Sequence, residues 1–323
     1  MTELAPIIVF TYNRPWHTEQ TLSALMQNDL ASESILYVYC DGAKENATEE
    51  QKEKIKQVRE VVKKNQWCKE VHITEAEQNK GLADSIIDGV TKVINKHGKV
   101  IVLEDDLVTS PYFLKYMNEA LDFYANRQSV FSIGAYSHPP ARFHIPKNYE
   151  YDVFVSLRNS SWGWATWAER WKQVDWSLSY LNSFLKNAAQ VHAFNRAGED
   201  MTEMLLLQRD KKIDSWAIRF SFAHFRNHAI AILPCVSYVD NIGLDGTGIH
   251  CGADTRNFRN DISLAKKNPV FIDVLYEDSR IVNGMYSYYY PKKRPLWQKV
   301  INRLSRMLGR KNIFVIKKKI YEK

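Results

Sequence analysis

Apolar residues in the first third of the chain fall into short unbroken runs at 6–10, 35–40, 71–74 and 100–103, separated by longer stretches with helical spacing. A short run of β-branched and aliphatic residues reads as a strand buried on both faces. Pro15 at a first helical position opens a helix over 15–25, the charged segment 48–64 reads as a surface helix, and 81–96 carries Leu82, Ile86, Val90 and Val93 on one stripe. Four strands separated by three helices predict right-handed βαβ units and a mostly parallel sheet. Further on, the pattern predicts a helix from Ser110-Pro111 to about Tyr124 and a strand over 130–135. From Val153 the chain turns aromatic, with Trp162, Trp164 and Trp167 leading into a helix through Trp171. No internal repeat or low-complexity segment interrupts this order.

Ligands of such sheets bind outside the carboxyl ends of the strands. The residues there are Thr11-Tyr12-Asn13-Arg14, Asp41-Gly42, Asn79-Lys80-Gly81 and Glu104-Asp105-Asp106. The last group is the most informative. Three adjacent acids at a buried strand's exit repel one another unless a cation sits among them. Hard ions such as Mn2+ or Mg2+ take oxygen ligands and bridge carboxylates to phosphate oxygens. A solvated acidic turn is the plain alternative. Neither G-x-G-x-x-G at the first turn nor G-x-x-x-x-G-K-[ST] is present, which removes the main support for dinucleotide oxidoreductases and P-loop enzymes.

Composition changes the picture in two ways. The four cysteines (Cys40, Cys68, Cys235, Cys251) show neither zinc nor disulfide spacing, and Met1 is followed almost at once by a strand. With no apolar stretch near the ~20 residues that span a bilayer, these features predict a cytoplasmic protein. The net charge of +7 is uneven. Residues 291–323 hold twelve Lys or Arg against one Glu, a balance of +11, which leaves −4 on the rest. Within that tail Leu296, Trp297, Val300, Ile301, Leu304, Met307 and Leu308 form one helical stripe flanked by Lys299, Arg303, Arg306 and Arg310. This predicts an amphipathic helix on an anionic membrane surface, making the protein peripheral on the inner face of the cell membrane; a packed C-terminal helix is the alternative.

The ordered set from Pro6 to Pro15, with Asp41, Asn79-Lys80-Gly81 and Glu104-Asp105-Asp106-Leu107, resembles the nucleotide-sugar half of GT-A glycosyltransferases. Its pattern is similar to the N-acetylglucosaminyltransferase I family, which shares Glu-Asp-Asp-Leu, and to bacterial family-2-like sugar transferases with a Phe-Thr-Tyr-Asn-Arg-Pro start. The likeness continues through Gly163-Trp164 and Asp214-Ser215-Trp216, over roughly 5–250. This chain departs from the eukaryotic family in lacking a membrane-anchored stem and in a long insertion between Trp171 and Asp214. The resemblance implies an α/β fold of GT-A (Rossmann-like) type, a mostly parallel sheet flanked by helices, with a mixed acceptor-side half and the basic C-terminal amphipathic helix. It divides the chain into a nucleotide-sugar-binding half (1–150), an acceptor-binding and catalytic half (151–290) and the tail (291–323).

The resemblance also implies an inverting transfer from a UDP-sugar to a glycan or lipid-linked acceptor in bacterial surface polysaccharide synthesis, with no nucleic acid partner. Asp106 then binds manganese or magnesium, with His250 as a second ligand after a glycine-rich loop. Glu104 and Asp105 serve ribose or ion-bound water. Thr11, Asn13, Arg14, Asp41, Asn79 and Lys80 contact the donor. Asp214 is the general base, with Glu199 and Asp200 as rivals because the insertion leaves the register open. An apolar-aromatic setting near Trp216 would raise its proton affinity. Trp162 and Trp164 would stack on acceptor sugar, and Asn241, Gly243, Gly246 and Gly248 form a loop able to close over the donor. Two other classes stay open: a nucleotidyltransferase on the same kind of sheet, and a non-enzymatic basic protein binding membranes or nucleic acid.

Overall fold

The computed structural model describes residues 3–246 and 258–289. The elements run β1 (Ile7–Thr11), α1 (Pro15–Met26), β2 (Ile35–Cys40), α2 (Glu49–Lys63), β3 (Glu70–Glu75), α3 (Leu82–His97), β4 (Lys99–Glu104), β5 (Leu107–Thr109), α4 (Phe113–Phe123) and β6 (Val130–Gly134). There follow β7 (Val153–Ser156), β8 (Trp164–Trp167), α5 (Ala168–Trp171), α6 (Leu181–Leu185), α7 (Ala188–Phe194), α8 (Met201–Arg209), α9 (Trp216–Arg226), β9 (Ile230–Pro234), β10 (Val239–Asn241) and α10 (Ser279–Tyr289). Local chemistry explains the boundaries. Thr48 and Gln51 close α2 with reciprocal capping bonds. At the end of α3, Gly98 takes the left-handed φ of 76° that terminates the helix.

Eight strands form one sheet in the order β3-β2-β1-β4-β8-β6-β9-β7. The first four are parallel. Strand β8 then runs antiparallel between β4 and β6, with Val102 opposite Trp164, and β7 closes the far edge antiparallel to β9. The expected α/β class, the Rossmann-like mostly parallel sheet and its mixed second half are what the structure shows. Alternation along β1 and β4 assigns the two faces. Ile7, Val9, Ile101 and Leu103 pack with Leu22 and Leu25 of α1, Val58 and Val62 of α2 and Met117 of α4. Ile8, Phe10, Val100 and Val102 meet Ile86 and Val90 of α3 and Trp216 and Phe220 of α9. The insertion between Trp171 and Asp214 folds α6 to α8 into a satellite core, with Phe184, Phe194 and Leu205 against Ile218 and Phe222 of α9.

The sequence pattern does not give the β5–β10 ribbon, nor the elements beyond Trp171. β5 pairs antiparallel with β10, Leu107 opposite Asn241 and Thr109 opposite Val239. Three-residue strands carry too little periodicity to be read in advance. The aromatic run is also reassigned. Trp164 is 1% exposed, stacked at 4.6 Å on Trp216 and at 5.6 Å on Trp171. A ring covered by two others has no face for a sugar, so Trp164 is a core residue and not an acceptor contact. The basic segment 291–323 lies outside the described residues. Among those described, no helix is long and apolar enough to cross a membrane.

Candidate active site

The parallel strands converge their exits on one edge, and β4 brings the three acids there. Phe10 of β1 sits opposite Glu104 of β4. Asp105 is 9% exposed; its carboxylate accepts from the Tyr12 backbone N–H at 3.3 Å, and its carbonyl accepts from Thr21 Oγ1 at 2.9 Å. Asp106 accepts from Arg14 Nη1 at 2.7 Å, and both side chains are mostly buried. Burial, then the charges of Asp106 and Asp105, pushes the Glu104 carboxyl well above its ordinary range, while Arg14 pulls it back. Asp105 is pushed up to about 7, by burial first and Asp106 second. Burial also raises Asp106, opposed by the Arg14 guanidinium. The cluster is short of positive charge.

The short β5–β10 ribbon delivers a loop onto this cluster. The Ile242 N–H donates to the Asp106 carbonyl at 2.9 Å, and the Gly243 N–H to Asn241 Oδ1 at 2.8 Å. A Cβ at Gly243 would stand 1.9 Å from Asp106 Oδ2 and 2.7 Å from Arg14 Nη1, so any larger residue would have to push the Asp106–Arg14 ion pair aside. Asp245, two residues beyond Gly243, reaches His17 and Arg14. His17 and Asp245 were not read from the sequence; the signal available was His17 one turn beyond Arg14 on α1. Gly248 and His250 lie outside the described residues.

The β2 and β3 exits are fastened together, and two expected donor contacts, Asp41 and Thr11, are corrected. The Asp41 carboxylate accepts from the N–H groups of Gly42 (2.8 Å), Lys80 (2.9 Å) and Gly81 (3.2 Å) and from Asn79 Nδ2 (2.8 Å). Four donors fill a carboxylate's acceptor sites. Asp41 therefore builds the loop and has no acceptor site left for uracil or ribose, while Asn79 Nδ2 is engaged by Asp41 and by the Gly42 carbonyl. Thr11 Oγ1 is turned onto the Tyr39 carbonyl at 3.4 Å, with the residue 4% exposed. Lys80 Nζ lies 3.2 Å from Asp88, an exposed pair that binds weakly and exchanges readily. Asn13 and Arg14 remain at the edge as expected, both partly buried.

Asp214 stands just before α9, with Oδ1 3.5 Å from Arg219 Nη2, and Oδ2 is the atom that a Cβ at Gly81 would meet at 3.7 Å. The carboxylate thus faces the same loop that Asp41 holds. Its surroundings differ from expectation: Asp214 is 55% exposed and meets Arg219, while the aromatic burial belongs to Trp216. The rivals lie elsewhere. Asp200 is held by Arg158 through two bonds of 2.9 and 3.0 Å, and Glu199 accepts from the Tyr286 hydroxyl of α10. Trp162 is partly buried, edge-on to Tyr136 at 4.5 Å.

Among the described residues, no group of three His, Cys, Asp or Glu side chains is arranged to hold a metal. Mg2+ and Mn2+ on phosphate substrates take one or two protein carboxylates and complete their shells with phosphate and water. Asp106 and Asp105 fit that donor set, as two adjacent carboxylates at the mouth of the sheet edge beside the Arg14 guanidinium.

No family model matches the sequence, and no curated protein matches it. Solved structures with similar backbones include Staphylococcus aureus TarS 1–349 (14% identity over 73% of this chain and 59% of that one, TM-score 0.42). Mouse xyloside xylosyltransferase 1 is 11% identical over 68% of this chain and 80% of that one (TM-score 0.36). A UDP-glucose pyrophosphorylase complexed with UDP-glucose is 9% identical over 73% of this chain and 93% of that one (TM-score 0.35). The chain thus spans 59% of the TarS 1–349 chain. The identities reach no higher than 14% and the TM-scores no higher than 0.42, so the chemistry rests on this chain's own residues.

The acid cluster predicts a pH dependence. An unfolded Asp105 titrates near 3.8 and the folded one near 7. Between those values the folded protein keeps a proton that the unfolded chain releases, so stability falls as pH rises through the window. Urea unfolding should show wild type losing stability from about pH 4 to about pH 7, with a flatter profile for Asp105→Asn. Equal slopes would place the origin elsewhere.

Proposed function

We propose that the chain is a metal-dependent, inverting glycosyltransferase that moves a sugar from a UDP-sugar to a glycan or lipid-linked acceptor in bacterial surface polysaccharide synthesis. The observation that carries it is the cluster of three desolvated carboxylates at the β4 exit with Arg14 beside them. A diphosphate leaving group needs positive charge, and this edge is built to gather it. In this reading Asp106 and Asp105 hold a Mn2+ or Mg2+ ion, which supplies charge neutralisation on the diphosphate. Glu104 and Asn13 border the ribose side.

Asp214 is the base. Arg219 engages Oδ1, and Oδ2 faces the 79–81 loop. Its Oδ2 takes the proton of the acceptor hydroxyl as that oxygen bonds to the anomeric carbon. The bond from that carbon to the donor phosphate oxygen breaks, and UDP leaves with the electron pair. A single base on the face opposite the leaving group inverts the configuration. Both Asp200 oxygens accept from Arg158 Nη1, which favours Asp214 for the role. Trp162, beside Tyr136, is the aromatic surface offered to the acceptor.

Two variants separate these roles. Asp106→Asn should lose the Mn2+-dependent part of UDP binding in calorimetry while melting as a folded protein. Asp214→Asn should keep UDP binding and lose turnover by roughly 10²–10⁴-fold, the range for general-base removal. UDP affinity unchanged in Asp106→Asn, or near wild-type turnover in Asp214→Asn, overturns the corresponding assignment.

We also propose that residues 291–323, with their +11 balance, hold the enzyme on the anionic inner face of the cell membrane. Each Lys or Arg near such a surface contributes about 1 kcal/mol. Deleting 291–323 should abolish binding to phosphatidylglycerol vesicles and spare hydrolysis of the donor. Full-length protein that ignores those vesicles at low salt contradicts the proposal.

A further inference from the structure

Two side chains at the mouth of the acid cluster are held by one carboxylate. Arg14 caps α1 and His17 lies in its first turn. Asp245 Oδ1 is 3.5 Å from Arg14 Nη2, and its Oδ2 is 3.0 Å from His17 Nε2. A carboxylate only accepts, so His17 Nε2 carries the hydrogen and donates it. Arg14 Nη1 is spent on Asp106. Its Nε and Nη2 are buried with no hydrogen-bond partner among the described residues. Buried guanidinium N–H groups left unpaired are unfavourable, and a contact of 3.5 Å is too long to satisfy them. The donors thus await a better acceptor than the one they have.

Asp245 is poorly placed to be a permanent partner. Its side chain is 41% exposed, against 12% for Arg14 and 9% for His17, so water readily takes over its solvation. The loop that carries it leans directly on the site, since Gly243 leaves no room for a Cβ against Asp106 and Arg14. A group entering against the outer edge of the guanidinium must shift that loop. A phosphate has the right properties. It is an acceptor-only anion with more oxygens than a carboxylate, able to meet Nη2, Nε and the His17 donor together.

We propose that Asp245 is a built-in competitor for a phosphate of the nucleoside diphosphate. Its carboxylate lies between Arg14 and His17 in the ligand-free protein, and the diphosphate displaces it, which adds His17 to the donor-binding residues. This rests on the reading of the site as one for a nucleotide-linked donor. Donor binding and release of Asp245 from Arg14 and His17 are then one event.

Calorimetry on full-length protein with UDP and with uridine, each with and without Mn2+, tests the proposal. Asp245→Asn and Asp245→Ala should each bind UDP about fivefold or more tightly than wild type, the low end of ordinary coupling between two states. Uridine, lacking phosphate, should bind all forms alike. Adding His17→Gln to Asp245→Asn should remove the gain. UDP affinity unchanged or weakened in either Asp245 variant, or an equal gain for uridine, overturns the competition while leaving the donor site standing. Absence of UDP binding from wild type and variants alike, with or without Mn2+, overturns the donor reading itself.

Discussion

Carboxylates forced together in a desolvated place raise one another's proton affinity, and the rest of this site is arranged around that constraint. Glu104, Asp105 and Asp106 cannot spread apart, because β4 is buried between β1 and β8 and ends there. Arg14 supplies one compensating charge through Asp106. The Tyr12 N–H supplies a weaker one through Asp105. Burial still wins, and the acids remain hungry for positive charge. That deficit is a functional asset if the substrate arrives with a cation, and it is paid for by the stability of the sheet beneath.

Two loops tune the edge, one fixed and one releasable. The fixed one runs from β2 to the start of α3, where Asp41 receives four hydrogen bonds and Gly42 packs so close to Gln78 that a Cβ would stand 2.5 Å from its backbone. It sets the position of Gly81, and with it the space in front of Asp214. The releasable one follows β10 and carries the half-exposed Asp245, 3.5 Å from Arg14 and 3.0 Å from His17. A rigid floor beside a displaceable cover suits a site that must admit a charged ligand.

The alternation of Ile7, Ile8, Val9 and Phe10, the Thr48 cap and the stripe on α3 made the first four strands and their helices legible, because local pattern and tertiary burial agree there. The acids were legible for the same reason: a strand exit fixes where side chains emerge. What escaped depends on long-range pairing. The β5–β10 ribbon joins segments more than 120 residues apart in sequence, and without it neither the Asp245 contact nor the closeness of Gly243 can be seen. Asp41 shows the opposite failure. Its type and position suggest a ligand contact, yet its oxygens are consumed by the neighbouring loop. Trp164 looked like a sugar platform because sequence cannot say that Trp171 and Trp216 cover both its faces.

The most direct test of the central claim is to identify what leaves the donor. Wild-type protein incubated with Mn2+, a panel of UDP-sugars carrying carbon-13 at the anomeric position, and bacterial glycan or lipid-linked acceptors can be followed by NMR. The account predicts that one donor yields free UDP and a new glycosidic carbon of inverted configuration. Release of sugar 1-phosphate on addition of pyrophosphate, with no glycoside formed, would contradict it and make the same acidic edge that of a nucleotidyltransferase.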